Sequence, residues 1–333
     1  MSGVEYAPHR RASQGRAARL AFRVWERLVV LVYRAASTVL ARVPLGVSEP
    51  VARMLFRVGY YAWPQKRRIV LANAAHVLGI PAGDRRAARL ARRIYGTYAV
   101  FALELMRLPS LPPDEPRRLL RADGPDHERL MATWERCRSE GRALIAVSGH
   151  IGSIEVFAGA YASLGIPTYG LADDSAFPEL FDILNRSRAR WGVTIIPWRR
   201  MREVFRVLRS PSSLGMVVDW GYRPDDVPVR LLGDWTTLPV GPAALAARTR
   251  ALIVPVVARR EPDGRYRATM HAPIEVTDAS PAGLQRATQA IADSLGSMVH
   301  EAPDQWYTFK PMWPATAAEA TALEQRARAL GAP

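Results

Sequence analysis

The sequence predicts an α/β fold: a central, largely parallel sheet flanked by helices, preceded by amphipathic helices that associate with a membrane. Three observations carry this. From Ala143 onward, strand-like apolar runs alternate with helical patterns, the order that builds a sheet covered on both faces. Apolar residues make up 49% of the 333 positions, enough for a substantial core. Between residues 17 and 63, apolar positions are interrupted by arginines at helical spacing, as in helices that lie in a membrane interface.

Taken in order, residues 1–15 are polar and basic, read as disordered, and lack the apolar centre of a secretory signal. Residues 17–47 are apolar but carry Arg23, Glu26, Arg27 and Arg34. The charge-free run Leu28-Val-Val-Leu-Val-Tyr33 falls far short of the about 20 residues that span a bilayer. Arg16, Arg23, Arg27 and Arg34 lie near one helical face, and Leu20, Val24, Leu28, Leu31 and Ala35 towards the other. An interfacial helix and a surface helix packed on the protein's own core both fit that pattern. Residues 51–63 add Phe56, Tyr60, Tyr61 and Trp63, aromatics suited to a membrane interface or to a core. Residues 84–108 read as a helix with an apolar face through Ala91, Ile94, Tyr98, Phe101 and Leu105, and Leu108-Pro-Ser-Leu-Pro-Pro113 breaks the chain.

Candidate strands follow at 143–147, 167–171, 193–197, 214–218, 227–232, 252–258 and 266–270. Candidate helices lie at 153–164, 177–191, 201–210, 240–250 and 281–301. Residues 315–333 are Ala-rich, a short loose helix without evident chemistry. The expected organisation is therefore a basic start and membrane-associating helices at 1–65, a catalytic domain at 66–314 and a loose tail at 315–333.

The net charge is +15, and lysine occurs only at positions 66 and 310, so the excess is arginine. That balance points to an anionic partner, an acidic membrane surface or nucleic acid. No zinc-finger spacing, basic zipper or RNP-like aromatic motif is present, which argues against nucleic acid. Cys137 is the single cysteine, which excludes an intrachain disulfide and a cysteine-based metal cluster. No Walker A loop, Rossmann glycine fingerprint, H-E-x-x-H or G-x-S-x-G occurs, so no cofactor or metal is expected, and Ser148 lacks the flanks of a nucleophile elbow.

The most informative stretch is Ala143-Leu-Ile-Ala-Val-Ser-Gly-His-Ile-Gly-Ser-Ile-Glu155. ALIAV reads as a buried strand, Ser-Gly-His as its exit, and Gly152-Ser153 as the opening of a helix. His150 then sits at a strand end and Glu155 in the first turn of the next helix. A carboxylate there can accept the Nδ1 proton, fix the tautomer and leave Nε2 as a base. An ordinary strand-end histidine and a first-turn glutamate favoured by the helix dipole would look the same.

His150-Ile-Gly-Ser-Ile-Glu155 resembles the H-x4-E motif of the lipid A late acyltransferases, within the lysophospholipid acyltransferase superfamily. Bacterial phosphatidylinositol mannoside acyltransferases look similar. Further stretches agree in order: Lys66-Arg-Arg-Ile-Val-Leu-Ala-Asn73, Arg188-Ala-Arg-Trp-Gly192, Val218-Asp219, Val227-Pro-Val-Arg-Leu-Leu-Gly233, Leu238-Pro-Val-Gly-Pro-Ala-Ala-Leu-Ala246 and Pro303-Asp-Gln-Trp306. Ser153-Ile154 replaces the family's usual polar-aromatic pair beside the acid, and Leu231-Leu232 replaces its two phenylalanines. The resemblance covers roughly residues 66–314 and implies an O-acyltransferase. It would use an acyl carrier protein or CoA thioester and a lipid or glycolipid acceptor such as a lipid A precursor. It would sit on the cytoplasmic face of the inner membrane, peripheral or monotopic. It further implies His150 as the base, Glu155 as its orienting acid, and Arg188 as a contact for an anionic head group. Asp219 would complete the charge arrangement or touch a polar acceptor, and Gly241-Pro242 would start a helix whose free amides hold phosphate. His76 and His271 read as structural. The rival reading is a non-catalytic basic module that binds anionic lipid or nucleic acid.

Overall fold

The computed structural model describes residues 16–174 and 177–331. The basic start at 1–15 lies outside the described residues. Four long helices open the described chain: α1 (Arg16–Leu40), α2 (Leu45–Ala62), α3 (Pro64–Leu78) and α4 (Arg85–Arg107). The short α5 (Glu115–Leu119), β1 (Leu120–Arg121) and α6 (Pro125–Ser139) lead into the alternating part. That part runs β2 (Leu144–Ser148), α7 (Ile154–Ala162), β3 (Thr168–Ala172), α8 (Pro178–Ala189), β4 (Val193–Pro197), α9 (Met201–Val207) and β5 (Ser213–Val217). Then come β6 (Val227–Leu231), β7 (Asp234–Leu238), α10 (Gly241–Thr249), β8 (Leu252–Arg260), β9 (Tyr266–Met270), α11 (Pro281–Glu301) and α12 (Ala317–Ala329).

Seven strands form one sheet in the order β1-β9-β8-β2-β5-β3-β4, parallel at every pair except β8 with β9. Helices cover both faces, which explains why β2 is buried at every position rather than alternating. Ile145 and Val147 join the core made with α3, α4, α9, α10 and α11. Leu144 and Ala146 join the core made with α6 and α7, where Cys137 is buried as a free thiol. The α/β fold with a largely parallel sheet is as the alternation predicts.

Several elements differ from the sequence reading. The run at 227–232 does not enter the main sheet: β6 pairs antiparallel with the unforeseen β7 as a separate hairpin. Leu232, in the hairpin turn, has a positive φ of 54°. Both strands contain residues with polar partners on one side, so the 234–238 run carries too few consecutive apolar positions to stand out. α6 was also missed, because its largely polar sequence masks the buried row Leu130, Trp134 and Cys137. Finally, α12 is secured by a capping box between Thr316 and Glu319 and buries Leu323 and Ala327.

At the amino-terminal end, Val30, Tyr33 and Ser37 form the buried row of α1. Val24, Leu28, Leu31 and Ala35 are exposed, as are Val47, Val51, Met54, Val58 and Tyr61 along α2. Among the described residues no helix is long and apolar enough to cross a membrane.

Candidate active site

β2 and β5 are neighbours in the sheet, with Ser148 opposite Val217. Their carboxyl ends therefore release His150 and Asp219 side by side, at the edge where α/β sheets gather their sites. The Ile151 amide donates to Gly149 O (2.8 Å), closing a tight turn about His150. The His150 ring meets Asp219 Oδ1 through Nδ1 at 2.7 Å. Asp219 Oδ2 accepts from the His150 backbone N–H (2.8 Å) and from Trp306 Nε1 (2.8 Å). Asp219 is wholly buried while 41% of the His150 side chain remains open to solvent. A charged carboxylate accepting at Nδ1 places the ring proton there and leaves the Nε2 lone pair free.

Two glycines make this turn possible. Gly152 has φ 60°, and a Cβ there would overlap the Ala258 carbonyl of β8. A Cβ at Gly149 would come within 2.8 Å of Leu295 and 3.0 Å of Asp219 Oδ2. The helix then starts cleanly, because Ser153 Oγ accepts from the Val156 amide at the N-cap of α7 (3.3 Å).

Burial works against charging the His150 ring, but the Asp219 carboxylate outweighs it and holds the pKa above the usual histidine value, with Lys310 opposing. For Asp219, burial alone would raise the pKa. The His150 charge and the bonds from its ring, its amide and Trp306 more than offset that, so the carboxyl stays below the usual aspartate range. The pair is built to keep an anion beneath a basic imidazole.

Glu155 does not hold the ring, contrary to the reading of the H-x4-E spacing. Asp219 occupies Nδ1, and Glu155 turns instead to Arg188 near the end of α8. Arg188 grips it with two bonds, Nη2 to Oε1 at 2.6 Å and Nε to Oε2 at 3.0 Å. Both side chains are mostly buried, 15% and 16% exposed. Arg188 is thus committed to a carboxylate within the fold. Arg188→Ala is expected to cost about 3 kcal/mol of stability by stranding a buried anion. Equilibrium urea unfolding of Arg188→Ala and of the double variant Arg188→Ala/Glu155→Gln checks this. The double variant recovers much of the loss, and equal losses in both would show that the pair is not the cause.

Trp220, next to Asp219, presents its ring edge-on to His150 at 5.6 Å between centroids. It also lines a cavity of about 300 Å³ with Trp198, Met216, Arg223, Lys310 and the start of α10 at Gly241 and Pro242. Lys310 stands over the Trp220 ring at 5.2 Å. Burial, and then Arg223, lower the Lys310 pKa, which marks a region where positive charge is crowded. Gly241 and Pro242 are thereby brought to the same sheet edge as His150. Among the described residues no group of three or more His, Cys, Asp or Glu side chains is placed to hold a metal ion.

Several motifs noted only for their order prove to brace this site. Asn73 Nδ2 donates to Lys310 O (2.9 Å), and Lys66 Nζ to Phe309 O (3.1 Å), so α3 clamps the segment that carries Lys310. In Pro303-Asp-Gln-Trp306, Asp304 pairs with Arg93 at 2.8 Å. Gln305 exchanges two 2.8 Å bonds with the backbone of Arg260, and the Tyr307 amide donates to His150 O at 2.7 Å. Trp306 was missed as a site residue. Its signal was there, a tryptophan in a matched motif whose indole N–H must find a partner when buried. His76 pairs with Asp234 at 2.6 Å and stacks on Trp313; His271 lies 3.5 Å from Glu301.

Comparison with known proteins agrees with the geometry. A family model described as bacterial lipid A biosynthesis acyltransferase matches residues 17–314. The chain is 26% identical over 262 residues to a phosphatidylinositol mannoside acyltransferase of Mycolicibacterium smegmatis, covering 77% of this chain and 81% of the relative. A phosphatidylinositol mannoside acyltransferase of Mycobacterium tuberculosis is 24% identical over 267 residues, covering 77% and 80%.

Proposed function

The chain belongs to the bacterial lipid A biosynthesis acyltransferase family and is a lipid acyltransferase, and from that premise we propose that it moves a fatty acyl chain from an acyl thioester to a hydroxyl of a glycolipid, with His150 as general base. The observation that carries the chemistry is the solvent-facing His150 ring held at Nδ1 by a buried, ionised Asp219. The acceptor hydroxyl donates to Nε2, and its oxygen attacks the thioester carbonyl as the proton passes to the ring. Asp219 steadies the imidazolium. When the tetrahedral adduct collapses, the C–S bond breaks and the imidazolium returns its proton to the departing thiolate. General-base assistance is worth roughly 10²–10⁴-fold. No acyl-enzyme is needed. Glu155 with Arg188 ties the start of α7 to α8 and so positions the turn that carries His150.

The cavity beside Trp220 suits the anionic part of a substrate, with Lys310, Arg223 and the amino end of α10 around it. A glycolipid acceptor accords with the names of the family and of both mycobacterial relatives. The exposed apolar rows of α1 and α2 support peripheral attachment to the cytoplasmic face of the inner membrane.

The test is thioester consumption. Purified protein is given acyl-CoA or acyl-carrier-protein thioester, with and without a phosphatidylinositol mannoside or a lipid A precursor in detergent. Free thiol is expected to appear only with acceptor, in step with an acylated glycolipid seen by mass spectrometry. No acceptor-dependent thiol with any of the four combinations would overturn the assignment and favour the non-catalytic lipid-binding module.

A further inference from the structure

The groove between α2 and α4 carries more cationic charge than the fold uses. Arg53 and Arg57 from α2, and Arg89, Arg92 and Arg93 from α4, line a cavity of about 450 Å³. Two of the five are committed: Arg53 to Glu49 at 2.9 Å and Arg93 to Asp304 at 2.8 Å. Among the described residues, Asp304 is the only acid in the wall. Arg57, Arg89 and Arg92 are exposed, and among the described residues none lies within ion-pair distance of a carboxylate, although the charge of Arg89 acts on Asp84. Self-repulsion of this kind has a cost in a fold that elsewhere pairs its arginines, for example Arg142 with Glu275 at 2.7 Å.

We propose that this groove is a docking site for the phosphodiester headgroup of an anionic membrane phospholipid, gripped by Arg57, Arg89 and Arg92. The proposal rests on the membrane-associated reading above and gives it a specific contact, distinct from the cavity at His150. The exposed apolar row beside the groove is what singles out a lipid. Val51, Met54, Val58 and Tyr61, at helical offsets of three and four, form an exposed apolar row on α2. Arg57 stands beside that row and Tyr61 itself lines the groove. An apolar row sunk among acyl chains would bring the flanking guanidinium groups to headgroup level, where a phosphate accepts two parallel N–H bonds from each planar fork. A soluble phosphate would gain the charge contacts but not the adjoining apolar burial.

The test is vesicle co-sedimentation of the full chain, using phosphatidylcholine alone and phosphatidylcholine with 30% phosphatidylglycerol, at about 0.1 M salt. Each arginine at an anionic surface is worth about fivefold in binding, so Arg57→Gln/Arg89→Gln/Arg92→Gln is expected to weaken phosphatidylglycerol-dependent binding about 100-fold. A charge-matched control, Arg202→Gln/Arg206→Gln/Arg209→Gln on and beyond α9, is expected to stay within a few-fold. Turnover of detergent-dispersed substrates should be unchanged in both triple variants. Equal losses in the two would mean that only net charge matters and would overturn the groove. So would undiminished binding by the first triple variant, or inorganic phosphate at 10 mM displacing the protein from vesicles at constant ionic strength. Absence of any vesicle binding by the unmodified chain would instead overturn the membrane-associated reading on which the proposal rests.

Discussion

His150→Ala is expected to lower acyl transfer by roughly 10²–10⁴-fold while the protein stays folded. The loss follows from removing the imidazole proposed as the base, whose Nδ1 is held by Asp219 and whose Nε2 lone pair is thereby oriented. Retention of the fold follows from what Asp219 keeps. Its Oδ2 still accepts from the backbone N–H at position 150 and from Trp306 Nε1, so the buried carboxylate is not left bare. The ring itself is 41% exposed and contributes little to the core. Single-turnover rates with acyl thioester, beside urea unfolding of the same sample, check both halves. A folded variant with activity within a few-fold of the parent would remove His150 as the base.

The second large effect separates the two acids. In Asp219→Asn, placing the amide nitrogen at Oδ2 would set it against two N–H donors. The amide therefore turns its nitrogen to the ring, where it needs an acceptor at Nδ1 and drives the proton to Nε2. The geometry survives in the wrong tautomer, and a kcat loss of roughly 10³–10⁴-fold is expected with little change in KM. The pH profile gives a second readout. Since Asp219 holds the His150 pKa above its usual value, the parent's kcat/KM should rise with pH through a limb lying above about 6.5. Without that carboxylate, burial and the Lys310 charge act unopposed and the limb moves to lower pH. Glu155→Gln keeps one acceptor for Arg188 and touches neither ring nitrogen. It should leave the limb in place and act mainly on stability, by about 1.5–3 kcal/mol. A limb displaced by Glu155→Gln and not by Asp219→Asn would return the orienting role to Glu155.

Those paired variants bear on how the H-x4-E motif is read. The spacing marks a strand end and a helix start correctly, but it does not say which carboxylate reaches the imidazole. Glu155 is five positions from His150 and points to Arg188; Asp219 is 69 positions away and makes the bond. Similarly, Arg188 in the basic helix before Gly192 is expected from the resemblance to contact an anionic head group. Instead it is turned inward to a buried acid, while Arg190 donates to the carbonyls of Leu108 and Pro109.

What the sequence by itself determined is everything recorded in short range. The apolar runs of β2, β5 and β8 announce strands buried on both faces, because a two-sided sheet leaves no position for water. Strand-end His150, the capped start of α7 and the apolar-arginine patterning of α1 and α2 are legible for the same reason: periodicity reports which side of an element is wet. The tertiary structure alone decided strand order. The chain makes β3 and β4 before β5, yet β5 packs directly against β2 and brings Asp219 to His150. It likewise brought Trp306, Asn73 and Lys310 to one edge. Strand order is settled by the summed burial and hydrogen bonding of the whole sheet, a sum to which each segment contributes but which no segment displays.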